Sequence, residues 1–117
     1  MPNSEDIQTR AEVDRFILDR IESVPHLEAL LLLWRDPDEA WGVEDAAQRL
    51  WLESEQTRMI LRDLARQHFL TVIAGEPQRF LYRRDPGNDR ILPAVAHAYR
   101  REMVRVSRMI HAKMNQS

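Results

Sequence analysis

The segment between residues 43 and 64 constrains the fold of this chain more strongly than any other. It contains two apolar patterns with the three- and four-residue steps of an amphipathic helix. A turn at residues 51–53 separates them, and Ser54 is positioned to cap the second helix, which we predict over residues 54–67. Two short helices with so short a turn form a helix-turn-helix unit. The apolar positions are Val43, Ala46, Ala47 and Leu50 in the first helix and Thr57, Ile60, Leu61 and Leu64 in the second.

A β-hairpin is predicted directly after this unit. Residues 69–74 are rich in strand-forming side chains, residues 75–78 supply turn formers, and residues 80–82 resume an apolar strand pattern. Turn-forming residues at 85–88 then break the pattern before a last helical segment. The fold class that we predict is mainly α with a small β-hairpin.

Helical patterns flank this central part on both sides. The segment 27–34 is apolar at every position except Glu28, so we expect it to lie at the centre of the core. We divide the chain into an N-terminal helix (1–24), a central domain (25–85) and a C-terminal helix (86–117). The stripe that predicts the first helix consists of Val13, Phe16, Ile17, Ile21 and Val24.

The C-terminal helix carries an apolar seam with heptad spacing, formed by Leu92, Ala96, Tyr99, Met103, Val106 and Ile110. This seam fits two arrangements, namely packing against the first helix of the same chain or pairing with a second copy. We favour a homodimer, because a helix of this length usually projects beyond a domain this small. Met103 and Met109 are also candidates for lining an effector pocket at such an interface, although simple packing is the better explanation.

Charge is distributed unevenly along the chain. Residues 1–50 hold 12 acidic side chains against 5 basic ones, whereas residues 88–117 hold 2 against 6. We expect the two ends to attract each other, within one chain or between two. The net charge of −2 argues weakly against nucleic-acid binding, since nucleic-acid-binding domains are usually basic, but a local patch can override the total.

The sequence contains few features that would indicate a catalytic site or a metal site. The chain has no cysteine, which removes disulfides, thiolate nucleophiles and thiolate metal ligands. Its 4 histidines are dispersed, and no glycine-rich phosphate loop, nucleophile elbow or dinucleotide fingerprint occurs. We therefore predict a protein that is not an enzyme and that uses no metal and no cofactor.

The same features bear on location. The longest uncharged apolar run, residues 29–34, is far shorter than the roughly twenty residues that a membrane-spanning helix needs. Residues 1–6 are polar and acidic and lack the basic start and apolar centre of a secretion signal. With the absence of cysteine, these observations predict a cytoplasmic protein without membrane contact.

The order of helices, helix-turn-helix unit, hairpin and long helix resembles a winged helix-turn-helix domain with flanking dimerisation helices. Residues 27–84 are similar to the bacterial transcriptional regulators of that class, among them the MarR, PadR and ArsR groups. Trp51 and His68 stand where the pattern usually has glycine, so a left-handed backbone there would carry a cost. The residues that match the contacts between the two helices are Ala47, Leu50, Leu52, Ile60, Leu61 and Leu64.

The resemblance implies that the helix over residues 54–67 enters the major groove of double-stranded DNA, with the hairpin beside it. It also implies a dimer that reads two half-sites about one helical turn apart. Arginines repeat at four-residue steps in this helix, and arginine binds phosphate and guanine through paired hydrogen bonds. The predicted DNA contacts are Gln56, Thr57, Arg58, Arg62 and Arg66 in the helix and Arg79 and Arg83 in the hairpin.

Two alternatives stay open at this stage. Glu55 and Asp63 offset the arginines, so that the row also fits an ordinary solvated face. A winged helix is a reused scaffold, and the chain also fits a protein-interaction module that does not bind DNA. We interpret Trp34, Trp41 and Trp51 as core residues, because aromatic side chains anchor small cores.

Overall fold

A computed structural model describes residues 4–114 of the chain and the side chains of residues 10–114. Residues 1–3 and 115–117 of the predicted terminal segments lie outside the described residues. The predicted fold class, a mainly α winged helix-turn-helix, is confirmed. The elements are α1 (Ser4–Arg20), α2 (Val24–Arg35), β1 (Trp41–Gly42), α3 (Val43–Leu50), α4 (Ser54–Arg66), β2 (Leu70–Ile73), β3 (Arg79–Tyr82), α5 (Pro86–Arg101) and α6 (Met103–Met114).

The chain forms two compact units, which we call the helical unit (residues 1–24 and 86–117) and the winged unit (residues 25–85). In the helical unit, α1 packs against both α5 and α6. No helix within residues 4–114 combines the length and the apolar character that a membrane span requires. The buried apolar side chains of the helical unit are Val13, Phe16, Ile17, Ile21, Leu92, Val95, Ala96, Val106 and Ile110.

The prediction of one continuous C-terminal helix is wrong. A bend at Glu102 separates α5 from α6, although the Glu102 amide still donates to the Ala98 carbonyl over 2.8 Å. The apolar stripes of α5 and α6 both lie on the side that packs against α1. Because of the bend, each of the two helices can stay in contact with α1, whereas one straight helix would diverge from it.

The heptad seam lies largely inside the single chain, which corrects our prediction for its dimer interface. Four of its members are buried without any second copy: Leu92, Ala96, Val106 and Ile110. A side chain that is already buried has no surface left to give to a partner. Tyr99 is half-buried, and Met103, the first residue after the bend, is 53% exposed. Only these two members of the seam remain available to a second copy.

The opposite charges at the two ends of the sequence meet within one chain. Arg105 of α6 binds the carboxylate of Asp14 in α1 with two nitrogens, at 3.0 and 3.2 Å. Arg90 donates to Glu12 over 2.8 Å. The ammonium group of Lys113 donates to the Leu18 carbonyl over 3.0 Å, near the carboxyl end of α1 where a cation is favoured.

Arg105 also binds Glu102 at the bend, over 2.9 Å. This hydrogen bond holds the pKa of Glu102 below its ordinary value, and the charge of the same arginine adds to the effect. Hydrogen bonds to Asp14 and then to Glu102 raise the pKa of Arg105 further above its already high value. The bend between α5 and α6 therefore carries an ion pair between Glu102 and Arg105, both of which are ionised at neutral pH.

In the winged unit, α3 packs on α4, and α4 packs on a three-stranded antiparallel sheet in the order β1-β3-β2. Cross-strand pairs set the register, with Leu70 opposite Tyr82 and Val72 opposite Phe80. The sequence did not predict β1, because its two residues are too few to show an alternating pattern. The segment that we placed at the centre of the core is buried in α2, at Leu27, Ala29, Leu30, Leu31 and Leu33.

Candidate nucleic-acid interface

The second helix of the helix-turn-helix unit, α4, has one buried face and one outward row. Thr57, Ile60, Leu61 and Leu64 form the buried face, as the sequence predicted. The helix ends at Arg66, one residue earlier than expected, and Gln67 caps it. The outward row, separated by steps of four, three and four residues, consists of Glu55, Met59, Arg62 and Arg66, all of them exposed.

Thr57 cannot contact a ligand in this arrangement, which corrects its prediction as a DNA contact. Its side chain is fully buried, and its hydroxyl donates to the Glu53 carbonyl over 2.9 Å. Gln56, its neighbour, is exposed. Thr57 lies on the face of α4 that packs against the core, as its place beside Ile60, Leu61 and Leu64 in the sequence pattern indicates.

The three arginines of α4 differ in their partners. Arg58 forms an ion pair with Glu55, and Arg66 forms one with Asp63, three residues away in each case. Arg62 is exposed, and we find no ion pair for it within residues 10–114. The helix therefore presents one arginine whose hydrogen-bond donors are uncommitted, flanked by two that its own acids partly neutralise.

Asp63 has a second partner that the sequence did not indicate. His26 of α2 donates from Nε2 to Oδ2 of Asp63 over 2.8 Å, while Oδ1 of the same carboxylate binds Arg66. The side chains of His26 and Asp63 are only 11% and 18% exposed. This contact fixes α4 to α2 and holds Asp63 near the outward row.

The hairpin formed by β2 and β3, which we call the wing, carries three exposed arginines. Arg79 opens β3, and no ion pair is found for it in the described part of the chain. Arg83 donates to Nδ1 of His68 over 3.3 Å, and Arg84 donates to Asp38 over 3.2 Å. Of the two predicted wing contacts, Arg79 is thus uncommitted, and Arg83 has one long hydrogen bond, to His68.

A cleft of about 350 Å³ lies between α4 and the wing. Arg62 and Arg66 line one side, Val72 and Gln78 line the other, and the buried ring of Phe80 contributes to the floor. The cleft brings the arginines of the helix and the residues of the wing onto one surface.

Both non-glycine residues at the glycine positions of the motif adopt left-handed backbone geometry. The φ angle is 58° at Trp51, which ends α3, and 68° at His68, which follows α4. The interpretation of Trp51 as a core residue is wrong, since its side chain is 91% exposed, whereas Trp41 is buried and Trp34 is half-buried. The indole points away from the core because the turn that it occupies is itself on the surface.

The start of α4 also differs from the prediction. Glu53 is the N-cap residue, with an extended backbone and no side-chain cap bond, and Ser54 is the first helical residue. The hydroxyl of Ser54 instead donates to Glu44 in α3 over 2.9 Å. Ser54 therefore joins the two helices of the motif rather than capping the second one.

Comparison with known proteins identifies this fold. The sequence matches no family model and no curated protein. The structure is similar to a MarR family protein from Bacillus stearothermophilus, with 15% sequence identity and a TM-score of 0.56, covering 86% of this chain and 69% of that one. The chain has the MarR-type winged helix-turn-helix fold.

Two further solved structures are similar to this chain. NolR from Sinorhizobium fredii is 19% identical over 85% of this chain and 96% of that one, with a TM-score of 0.56. A mutant of MepR from Staphylococcus aureus, solved bound to an oligodeoxyribonucleotide, is 13% identical over 88% of this chain and 77% of that one, with a TM-score of 0.59. At such identities the likeness establishes the fold.

Proposed function

We propose that the protein binds double-stranded DNA as a transcriptional regulator, with α4 in the major groove and the wing beside it. The observation that carries the proposal is the position of Arg62, exposed and uncommitted on the outward row of α4 and on the edge of the cleft shared with the wing. A guanidinium with free donors can make paired hydrogen bonds to guanine or to phosphate.

The structural comparison supports the same ligand. MepR is a transcription regulator, and its mutant was solved with an oligodeoxyribonucleotide. In the helix-turn-helix mode of binding, the second helix presents its outward residues to base edges in the major groove. That helix corresponds to α4 here, and its outward row supplies donors from Arg62 and an apolar surface from Met59, which is 63% exposed.

The remaining predicted contacts rank below Arg62. Arg58 and Arg66 must share their donors with Glu55 and Asp63, so each contributes less than an arginine without an acidic neighbour. Gln56 and Arg79 are exposed. Arg83 is also exposed, and to bind DNA it would have to break only its hydrogen bond to Nδ1 of His68. We propose Gln56, Arg58, Arg62, Arg66, Arg79 and Arg83 as the DNA-contacting set and withdraw Thr57.

A homodimer fits this function, because two copies would read two half-sites about one helical turn apart. The helical unit supports it with exposed apolar side chains on α6, among them Met103 and Met114. We propose that α6 supplies part of the dimer surface, with Tyr99 of α5 beside it.

The cytoplasmic location of the protein and its response to an effector remain predictions from the sequence. The role that we propose is binding and not catalysis.

The competing proposal is a protein-interaction module. Its support is electrostatic: the chain is acidic overall, and two of the three arginines in α4 pair with acids on the same helix. Such a module would not retain duplex DNA even at low salt. We prefer DNA binding because Arg62 remains uncommitted on the outward row of α4 and Arg79 is exposed and uncommitted on the wing.

The test is a selection from random duplex DNA at moderate salt, followed by binding measurements on the enriched sequence. We expect an enriched palindrome, and a log affinity that falls linearly with log salt. Arg62→Ala should weaken binding by roughly tenfold and reduce the salt slope by about one. Arg100→Ala is the matched control, since it removes an exposed arginine of α5 and should leave affinity nearly unchanged. The absence of any enriched sequence, together with no retention at low salt, would favour the interaction module.

A further inference from the structure

Trp51 combines two features that a merely structural residue does not need. Its backbone is left-handed, with a φ angle of 58° and a ψ angle of 42°, a geometry that glycine adopts without steric cost and that tryptophan does not. Its side chain is 91% exposed, the largest exposure among the large hydrophobic residues of the chain that the structure describes. The fold gains nothing visible from either feature.

The backbone at this position is fixed by the fold and not by the indole. The Trp51 amide donates to the Ala47 carbonyl and closes α3, and the Leu52 amide donates to the same carbonyl over 3.1 Å. Within residues 10–114 we find no hydrogen bond and no ring contact of the Trp51 side chain. Glycine would therefore preserve the turn, and the indole is the part of the residue that lacks an intramolecular explanation.

The position of the turn indicates what the indole would meet. Trp51 lies in the turn between α3 and α4, three residues before the start of α4. When the second helix of such a unit enters the major groove, the first crosses the sugar-phosphate backbone, so that the turn between them lies at the edge of the groove. This inference rests on the proposed DNA binding and extends it.

We propose that Trp51 is a DNA-backbone contact, with its ring packed on a deoxyribose at the edge of the major groove and its Nε1–H donating to a phosphate oxygen. An indole can do both, because it offers a broad apolar face and one N–H donor and has no acceptor to repel phosphate. Such contacts position a protein on the duplex without reading its sequence.

The absence of charge on the indole gives the contact a signature that arginine cannot imitate. Binding by cations releases counterions from DNA and sets the slope of log affinity against log salt. Removing Trp51 should therefore lower affinity by a similar factor at every salt concentration and leave the slope unchanged. Removing Arg62 lowers affinity and also changes the slope.

The decisive variant is Trp51→Gly, measured on the duplex that wild-type protein selects. We expect the midpoint temperature of unfolding, Tm, to rise, because glycine relieves the left-handed backbone. In the same variant, DNA affinity should fall by roughly tenfold at all salt concentrations, which corresponds to about 1.4 kcal/mol of binding free energy. Trp51→Phe keeps an aromatic face without the N–H donor and should show an intermediate loss.

A fluorescence measurement follows the contact directly. The chain has 3 tryptophans, and Trp34→Phe with Trp41→Phe leaves Trp51 as the single reporter. We expect acrylamide to quench its emission readily in free protein and much less when the selected duplex is bound. Unchanged quenching on DNA would contradict the proposal even if these substitutions altered affinity.

The outcomes separate this inference from the function on which it rests. If wild-type protein binds no duplex, the proposed function itself fails. If wild-type protein binds and Trp51→Gly binds equally well, only the role of Trp51 fails. A change of oligomeric state in Trp51→Gly without a change in DNA affinity would assign the indole to a second copy and overturn the proposal.

Discussion

The imidazole of His26 donates to the carboxylate of Asp63 over 2.8 Å and thereby ties α2 to the proposed recognition helix. The same carboxylate neutralises Arg66. Asp63 thus contributes to the fold through one oxygen and weakens the positive potential of the outward row of α4 through the other. Stability and DNA affinity should respond to its removal in opposite directions.

Asp63→Ala should lower the free energy of unfolding by about 1–3 kcal/mol, because the mostly buried hydrogen bond between Asp63 and His26 is lost. Arg66 loses its partner in the same variant, so DNA binding should become tighter, with a salt slope steeper by about one. Urea unfolding measures the first effect, and a salt series of binding isotherms measures the second. Glu39→Ala, an equal charge change at an exposed loop residue, should alter neither.

His68→Gly should stabilise the protein by about 1 kcal/mol, since glycine adopts the φ angle of 68° without the steric cost that a side chain incurs. The adjacent Gln67 has a φ angle of −84° and provides the control. Gln67→Gly should lower stability by at least about 0.5–1 kcal/mol, because glycine relieves no strain at a negative φ angle and raises the conformational entropy of the unfolded chain. Thermal unfolding of both variants decides the point, and a loss of stability in His68→Gly would contradict the argument from backbone strain.

Acid should loosen the bend between α5 and α6. The folded-state pKa of Glu102 is lowered from its ordinary 4.5, chiefly by the hydrogen bond from Arg105, so that folding favours the ionised carboxylate. Its stabilising contribution is then complete above about pH 4.5 and is lost as pH falls through the lower folded-state pKa. Arg105 adds no titration in this range, because its raised pKa keeps it protonated throughout.

The measurement compares wild-type protein with Glu102→Gln by urea unfolding between about pH 7 and pH 3. The variant should be less stable at neutral pH, and the difference should shrink toward zero at the acidic end, where wild-type Glu102 is also protonated. A difference that is constant across the range would mean that Glu102 acts through packing and not through its charge.

Met103→Glu should weaken the proposed homodimer. Met103 and Met114 lie about 20° apart around α6, since they are separated by close to three full turns, and both are about half exposed. A carboxylate at Met103 would have to be buried without a partner in the dimer, which is strongly unfavourable. Light scattering after size-exclusion chromatography should show a shift from dimer to monomer at micromolar concentration.

The control for this prediction is Ala112→Glu, on nearly the opposite side of α6 and also exposed. It introduces the same charge and should leave the oligomeric state unchanged. If both variants remain dimeric, α6 does not supply the dimer surface, and a wild-type monomer would remove the homodimer proposal altogether.

Much of the fold followed from local patterns. The apolar steps in residues 43–64 predicted α3, α4 and the turn between them to within one residue, because a helix forms where one face can be buried along its length. The hairpin followed from strand formers around a turn. A two-residue strand such as β1 and the bend at Glu102 leave no comparable periodic pattern, and both were missed.

The candidate site was predicted less completely. The sequence singled out Arg58, Arg62 and Arg66 as a row, but it could not tell that only Arg62 would stay uncommitted. It included Thr57 as a DNA contact although its own apolar pattern had already placed Thr57 on the face of Ile60, Leu61 and Leu64. It also placed Trp51 in the core on the strength of residue type alone, although the motif itself put that residue in an exposed turn.

The sequence by itself determined which segments are helical, where the helix-turn-helix unit lies and that its two glycine positions hold Trp51 and His68, since these properties depend on neighbours a few residues apart. Tertiary structure decided which donors remain free and which apolar residues remain uncovered. Asp63 binds His26, which lies 37 residues away in the sequence, and the seam of α5 and α6 is covered by α1 from the other end of the chain. Such contacts depend on how the surfaces of distant segments fit together, which no local spacing encodes.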